Sequence, residues 1–462
     1  MHENQPSINV LVPIGSIGLG IDASDVDSGL AGGADVIACD AGSTDSGPAY
    51  LATGAAKYSR AAIKSDLAIL MRARKKAGIP LLIGSCGTSG CDKALDSTRD
   101  IVMEIAREDG MRPRIAILYS EQDPQRMAQF AAHGRIAPLA PMNDADPERF
   151  SSCDRIVALM GPEPYIAALE AGADIVLGGR TTDTAVLAAV PLMRGAGVGP
   201  AWHAAKIAEC GALCTVRPRD GGVIIRVGQD SFDVEPLRAG NHCTPYTVSA
   251  HMLYENSDPF LLHEPGGTLD VTQSRYEALD ERCVRVTGSK FIAAPYTMKL
   301  EGASRGGWQT LMLVGIQDRK VLENIDAFLV RMHEVLTTRV KGAMSEAAGS
   351  YHISLRPYGW NAVSGLPVDK STPIPVEIGL MFVATASTQE LATQIAKTCN
   401  PWFFHLSAEE AQEMPSYGFP FSPAEIERGQ VFEFKLNHIV STSHPLELVR
   451  TEFVDFEEAG HA

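Results

Sequence analysis

The sequence predicts an α/β protein: a mainly parallel, doubly wound sheet in the N-terminal half, followed by a second α+β domain. Three observations carry this expectation. Short apolar runs recur through the first two hundred residues, nearly free of polar positions, as strands buried on both faces of a parallel sheet are. Amphipathic stretches of helical period lie between them. After about Ala212 the pattern becomes alternating, as half-exposed strands require.

In chain order, the expected strands are Ile8–Ile14, Ala34–Cys39, Ile79–Ile83, Arg114–Leu118, Arg155–Met160 and Ala173–Leu177. The expected helices between them include Ser59–Ala77, Lys93–Glu108, Pro124–His133, Pro164–Ala171 and Asp183–Arg194. Several stop at a glycine (Gly78, Gly110, Gly134, Gly172, Gly195), the residue that closes a helix at no steric cost. Such alternation implies right-handed crossovers with helices on both faces of the sheet; a barrel-like closure is the alternative. Beyond the change of pattern, Gly221–Val234, Cys283–Gly288, Tyr296–Leu300, Leu311–Ile316, Ser350–Arg356 and Val376–Ala386 read as strands. Val321–Val340 and Gln389–Thr398 read as helices, and Pro367, Pro373 and Pro375 mark a turn segment. The domains are therefore expected at 1–215 and 216–462. The alternating tail Val431–Val440 is suited to a sheet edge or to another subunit.

Composition bounds the function classes. With 45% hydrophobic and 21% charged residues the chain is an ordinary globular one. Its 56 acidic and 40 basic residues give a formal charge of −16, which argues against nucleic acid or an anionic membrane as the main partner. No apolar run approaches the ~18 residues of a membrane span. The nine cysteines are odd in number and include no Cys-x-x-Cys pair, so reduced thiols in the cytoplasm are expected and a structural zinc site is not.

Ligands of parallel sheets bind where the loops beyond the strand ends converge. Three such loops are unusually polar. The first, Asp40–Pro48, carries two carboxylates and three hydroxyls, with Asp40 and Asp45 as candidate acid and base and Ser43 and Ser46 as candidate contacts. A helix-capping turn is its plainer explanation. The second, Gly84–Asp92, offers the amides of Gly87, Thr88, Ser89 and Gly90 as an anion cradle and Cys86 as a candidate nucleophile, against a purely structural turn. It matches neither a P-loop nor a dinucleotide fingerprint. The third, Gly178–Asp183, brings Gly179, Arg180 and Asp183, where Arg180 either grips a ligand carboxylate or pairs internally with Asp183 or Asp40. Farther along, Glu209 ends a helix, where the macrodipole raises its pKa and suits it to general acid or base work. Asn241-His242 and His263-Glu264 are polar clusters of the joining region; His242 is a candidate substrate contact, and a metal shared by His242, His263, Glu264 and the Asp40 loop is left open. The cofactor is left open as well.

With these segments in hand, the chain resembles the acyclic terpene utilisation (AtuA-like) family. The resemblance rests on Gly33-Ala34-Asp35-Val36-Ile37 before the Asp40 loop and on Ala173–Arg180 with Thr182-Asp183. It continues through Glu209-Cys210-Gly211-Ala212, His263-Glu264-Pro265-Gly266 and Val284–Gly288. It spans about residues 8 to 400 and departs at the N-terminus and in the Ser43–Pro48 loop. It implies a cytosolic catabolic enzyme, often working beside a small partner protein, and brings no settled catalytic set. The expected function is thus a lyase, a hydratase, dehydratase or C–C lyase acting next to the carboxylate or thioester of a small organic acid or acyl-CoA. The rivals are a hydrolase or acyl-transfer enzyme using Cys86 or Ser43, and a non-catalytic ligand-binding subunit. A homo-oligomer is the expected state.

Overall fold

The computed structural model describes residues 7–143, 146–254, 256–344, 350–369, 371–403, 405–409, 414–415 and 417–456. The chain is mixed α/β and divides into two compact units, residues 1–304 with 434–462 and residues 305–433.

The first unit is built on a ten-stranded sheet. Its centre is five parallel strands in the order Ile8–Val12, Val36–Asp40, Leu81–Gly84, Ile175–Gly178, Ile115–Tyr119. Every residue of the middle strands Val36–Asp40, Leu81–Gly84 and Ile175–Gly178 is buried, which is why they read as continuous apolar runs. Helices Ala23–Ala31, Arg60–Ala77 and Asp92–Glu108 cover the face carrying Leu11, Ile37, Ile83 and Leu177. Helices Glu163–Glu170, Asp183–Met193 and Val198–Ala208 cover the face carrying Val10, Ala38, Leu82 and Val176. Arg60–Ala77 begins where the Ser59 hydroxyl accepts the Ala62 amide and ends on Gly78 at φ 68°, whose N–H reaches the Arg74 carbonyl. Asp183–Met193 is apolar all round after its first two residues, as a helix enclosed by protein must be.

The sheet is mixed rather than mainly parallel. Val223–Val227 pairs antiparallel with Ile8–Val12, and Ser231–Pro236, Val284–Thr287 and Arg275–Ala278 extend that side. On the other side Arg450–Val454 runs antiparallel to Ile115–Tyr119. The change of pattern near residue 215 therefore marks a switch from parallel to antiparallel addition within one sheet, and the expected boundary there is corrected to 304 and 433. Arg155–Ala158 also leaves the expected place: it pairs antiparallel with Leu300–Ala303 and with Glu121–Gln122. A short sheet of Leu261–Glu264, Gly267–Asp270 and Lys290–Ala293 completes the unit, and the tail strand Ile426–Ser441 joins Ile136–Pro138 through His438–Val440.

In the second unit Ile378–Ala386 lies between Tyr351–Tyr358 and the Trp308–Ile316 stretch, all antiparallel. Helices Ile325–Ala343 and Gln389–Phe403 bury Phe328, Met332, Leu336 and Phe403 with Phe382 of the sheet. Among the described residues no helix is long and apolar enough to cross a membrane, and none of the nine cysteines is joined in a disulfide.

Candidate functional site

The three polar loops do meet beyond the strand ends, but they meet mainly one another. The Ala41 amide donates to the Gly84 carbonyl at 2.9 Å, the Ser85 and Cys86 amides to Gly179 and Gly178 at 3.1 and 2.9 Å, and the Arg180 amide to Gly90 at 3.1 Å. Gly90, at φ +63°, leaves only 2.2 Å between a Cβ and the Arg180 nitrogen, so a side chain there has no room. Gly87 and Gly179 are equally hemmed in, the first by the Ala94 carbonyl and the second by the Leu118 carbonyl. These glycines serve close approach of backbone to backbone. The amide of Asp92, first in the following helix, already holds the Glu121 carboxylate at 2.8 Å. Thr88 accepts the Lys57 amide through its hydroxyl, and Ser89 is wholly buried. The expected anion cradle is therefore corrected to an interlocked structural turn.

Cys86 is corrected with it. The thiol is 0% exposed and lies 3.7 Å from the Ile83 carbonyl, and burial pushes its pKa upward, away from a thiolate. The 3₁₀ turn Thr44–Ser46, capped by the Ser43 hydroxyl, turns Asp45 and Ser46 outward. The Ser43 hydroxyl donates to Asp45 at 2.5 Å and Ser46 accepts from Lys57 at 3.1 Å. Asp40 points inward and accepts the Gly42 amide at 2.9 Å. Burial raises the Asp40 pKa well above the carboxylate range, and the negative charge of Asp183 adds to the rise. The like-charged neighbour of Asp40 is thus Asp183, not the expected Asp45.

Arg180 is spent internally. Its Nε donates to Glu301 at 3.0 Å, and one terminal nitrogen reaches the Ser85 hydroxyl at 3.2 Å and Asp183 at 3.5 Å. Glu301 also takes the Thr44 hydroxyl at 2.8 Å and the Lys299 ammonium at 2.9 Å. Burial opposes a charge on Glu301, but Arg180 and Lys299 outweigh it and hold the carboxylate at about 2.

Beside this network opens a cavity of about 1020 Å³. Of the residues singled out in the sequence, Asp45, Arg180, Asp183, Glu209, His263 and Glu264 line it. Asp40, Ser43, Ser46, Cys86 to Gly90, Gly179 and His242 are not among its lining residues. Lys206, Lys299, Thr182 and Thr184 are, with an apolar wall that includes Leu159, Leu261 and Ile439. Two carboxyls stand out. Glu264 accepts the Thr184 hydroxyl at 2.8 Å, and burial lifts it to about 7 against the pull of that bond and of Lys206. Glu209, at the end of Val198–Ala208, is lifted by burial to about 8 while the ammonium of Lys206 bonds to it and opposes the rise. Cys210 and His251 flank Glu209, and the three ligand atoms lie within 4.8 Å of one another.

Sequence reasoning passed over Lys206, Lys299 and Glu301. A lysine in the mainly apolar stretch Trp202–Ala208, three residues before a glutamate, is the signal for a buried pair. Lys299 and Glu301, two apart on a strand, share one face.

No curated protein and no solved structure matches the chain. Residues 26–216 and 219–416 match the model described as acyclic terpene utilisation family protein AtuA, and the chain belongs to that family.

Proposed function

We propose that the chain is a lyase that removes or adds water, or cleaves a C–C bond, next to the carboxylate or thioester of a small organic acid. The observation that carries this reading is Glu264: a carboxyl opening on a cavity, held by the hydroxyls of Thr184 and Thr182 yet lifted by burial to about 7, so that it both takes and gives a proton near neutral pH. Lys299 supports it. Its side chain is 41% exposed, and Glu301 engages one of the three donors an ammonium has. The cavity is at the upper end of the ~300–1,000 Å³ usual for small-molecule sites, and its apolar wall suits a hydrocarbon or acyl portion.

In this reading Lys299 holds the carboxylate or thioester oxygen of the substrate. The ionised Glu264 takes the proton α to that carbonyl, and the electron pair moves onto the oxygen that Lys299 faces. Collapse of the enolate forms the C=C bond and breaks the bond to the β-oxygen. Glu264 returns its proton to that leaving oxygen, which departs as water.

The test is deuterium wash-in at the α-carbon, followed by NMR over a panel of carboxylic acids and acyl thioesters. Wild type should exchange the α-proton of its substrate, and Glu264→Gln should lose about 10²–10⁴-fold of that rate while still binding. A ligand that binds without exchange or turnover would make the chain a binding subunit instead. Full exchange in Glu264→Gln would remove that residue from the reaction.

A further inference from the structure

We infer that Glu209, Cys210 and His251 form a binding site for a divalent transition metal ion of the zinc type, at the edge of the cavity. The inference rests on geometry and stands apart from the acid–base role of Glu264.

One carboxylate oxygen, one sulfur and one imidazole nitrogen lie within 4.8 Å of one another. A tetrahedral ion bound at ~2.0–2.3 Å from each ligand needs separations of about 3.3–3.8 Å. Small side-chain rotations therefore close the shell. The three residues come from two places that the fold fixes independently. Glu209 and Cys210 leave the end of helix Val198–Ala208 into the turn Gly211–Cys214. That turn needs glycine at 211: φ is +62°, and a Cβ there would stand 2.8 Å from the Gly15 nitrogen. His251 is the last residue of helix Pro245–His251, which packs against the same turn, and its ring stacks on Tyr254 at 5.6 Å.

A second, independent observation points the same way. His251 is 5% exposed, and its Nε2 has no hydrogen-bond partner among the described residues. A buried imidazole nitrogen left without a partner costs about 1–3 kcal/mol, and a metal ion is a partner that returns that loss. The donor set selects the ion. A thiolate and an imidazole beside a carboxylate suit zinc, cobalt or iron(II), whereas calcium and magnesium ask for oxygen alone. Three protein ligands leave the fourth position of a tetrahedron open, and Glu209 itself lines the cavity. Lys206 becomes the outer partner of the ligating carboxylate, in the place that hydrogen-bonding groups take around metal-bound carboxylates. Binding displaces the protons of Cys210 and Glu209 to solvent, so that the resulting thiolate and carboxylate balance the charge of the ion.

The probe is cobalt(II), titrated into the chelator-treated full chain at neutral pH and read by absorbance. One equivalent should bind, with intense visible bands of a tetrahedral ion and a sulfur-to-cobalt charge-transfer band in the near ultraviolet. Cys210→Ser should lose the charge-transfer band. His251→Ala should weaken binding by more than ~100-fold, beyond what loss of an outer partner costs. Failure to bind one equivalent would overturn the site, and so would a spectrum that Cys210→Ser leaves unchanged, which would put the ion elsewhere. These outcomes are read with Glu264 in place and without turnover, so they fail or hold independently of its role.

Discussion

Replacing Glu301 by glutamine tests the central polar network most directly. The side chains of Glu301 and Arg180 are 6% and 5% exposed, and their ion pair is 3.0 Å long. Gln keeps the volume and an acceptor for Thr44, but it leaves the guanidinium with Asp183, 3.5 Å away, as its remaining ion pair. Holding a carboxylate at about 2 instead of its ordinary 4.5 contributes about 3 kcal/mol at neutral pH. The cost of stranding one member of a buried pair, ~3–5 kcal/mol, agrees. The sign follows from a lowered pKa: the contribution is complete above 4.5 and disappears as pH falls through about 2. Urea unfolding of wild type and Glu301→Gln at pH 7 should differ by about 3 kcal/mol, and at pH 3 by less than half of that. A difference below about 1 kcal/mol at pH 7, or one independent of pH, would mean that water screens the pair and that the network is not the rigid support described.

Glu264→Gln has the opposite pH signature. A carboxyl raised to about 7 stabilises the fold relative to the unfolded chain below 4.5 and loses that contribution as pH climbs through 7. The variant should match wild type at pH 5 and exceed it by about 1–3 kcal/mol at pH 9, by urea unfolding; equal stability at both would show the carboxyl to be solvated. Cys86 should resist iodoacetamide until the chain unfolds, since the thiol is 0% exposed, and mass spectrometry of the labelled peptide finding rapid reaction would restore it as a nucleophile. Gly90→Ala should cost at least about 3 kcal/mol and loosen the Gly84–Asp92 turn, seen as faster hydrogen exchange at the amides of Ser85, Cys86 and Arg180; unchanged exchange would refute the interlock.

The parallel strands were legible because burial on both faces leaves no alternation to misread: Val36–Asp40 and Ile175–Gly178 announce themselves residue by residue. Arg155–Ala158 has the same local character yet pairs antiparallel in another sheet, because an apolar run says that a strand is covered but not by what. The site was half legible for a similar reason. Glu209, Asp183 and Glu264 lie in segments with a visible polar anomaly. Glu301 sits 121 residues beyond the arginine it neutralises, and the pairing that turns Arg180 from a ligand anchor into a support is long-range. Small polar loops also have two uses that composition does not separate: receiving a ligand, and letting three backbones touch. In Gly84–Asp92 the second prevails.

The strand Arg450–Val454 closes the side of the sheet that Ile115–Tyr119 would otherwise present, with Val454 opposite Ile115 and Arg450 opposite Tyr119. The two segments are separated by more than three hundred residues, so during synthesis the open hydrogen-bonding edge exists long before its cover emerges from the ribosome. Until then Ile115–Tyr119 is a template for any extended segment nearby, including the same strand on a neighbouring nascent chain. A chain that stops short of residue 450 keeps every element of the cavity and the Glu209, Cys210 and His251 side chains, but it keeps that edge uncovered as well. Loss of those last residues should therefore reach the cell first as aggregation and clearance, with the chemistry of the site untouched in whatever fraction folds.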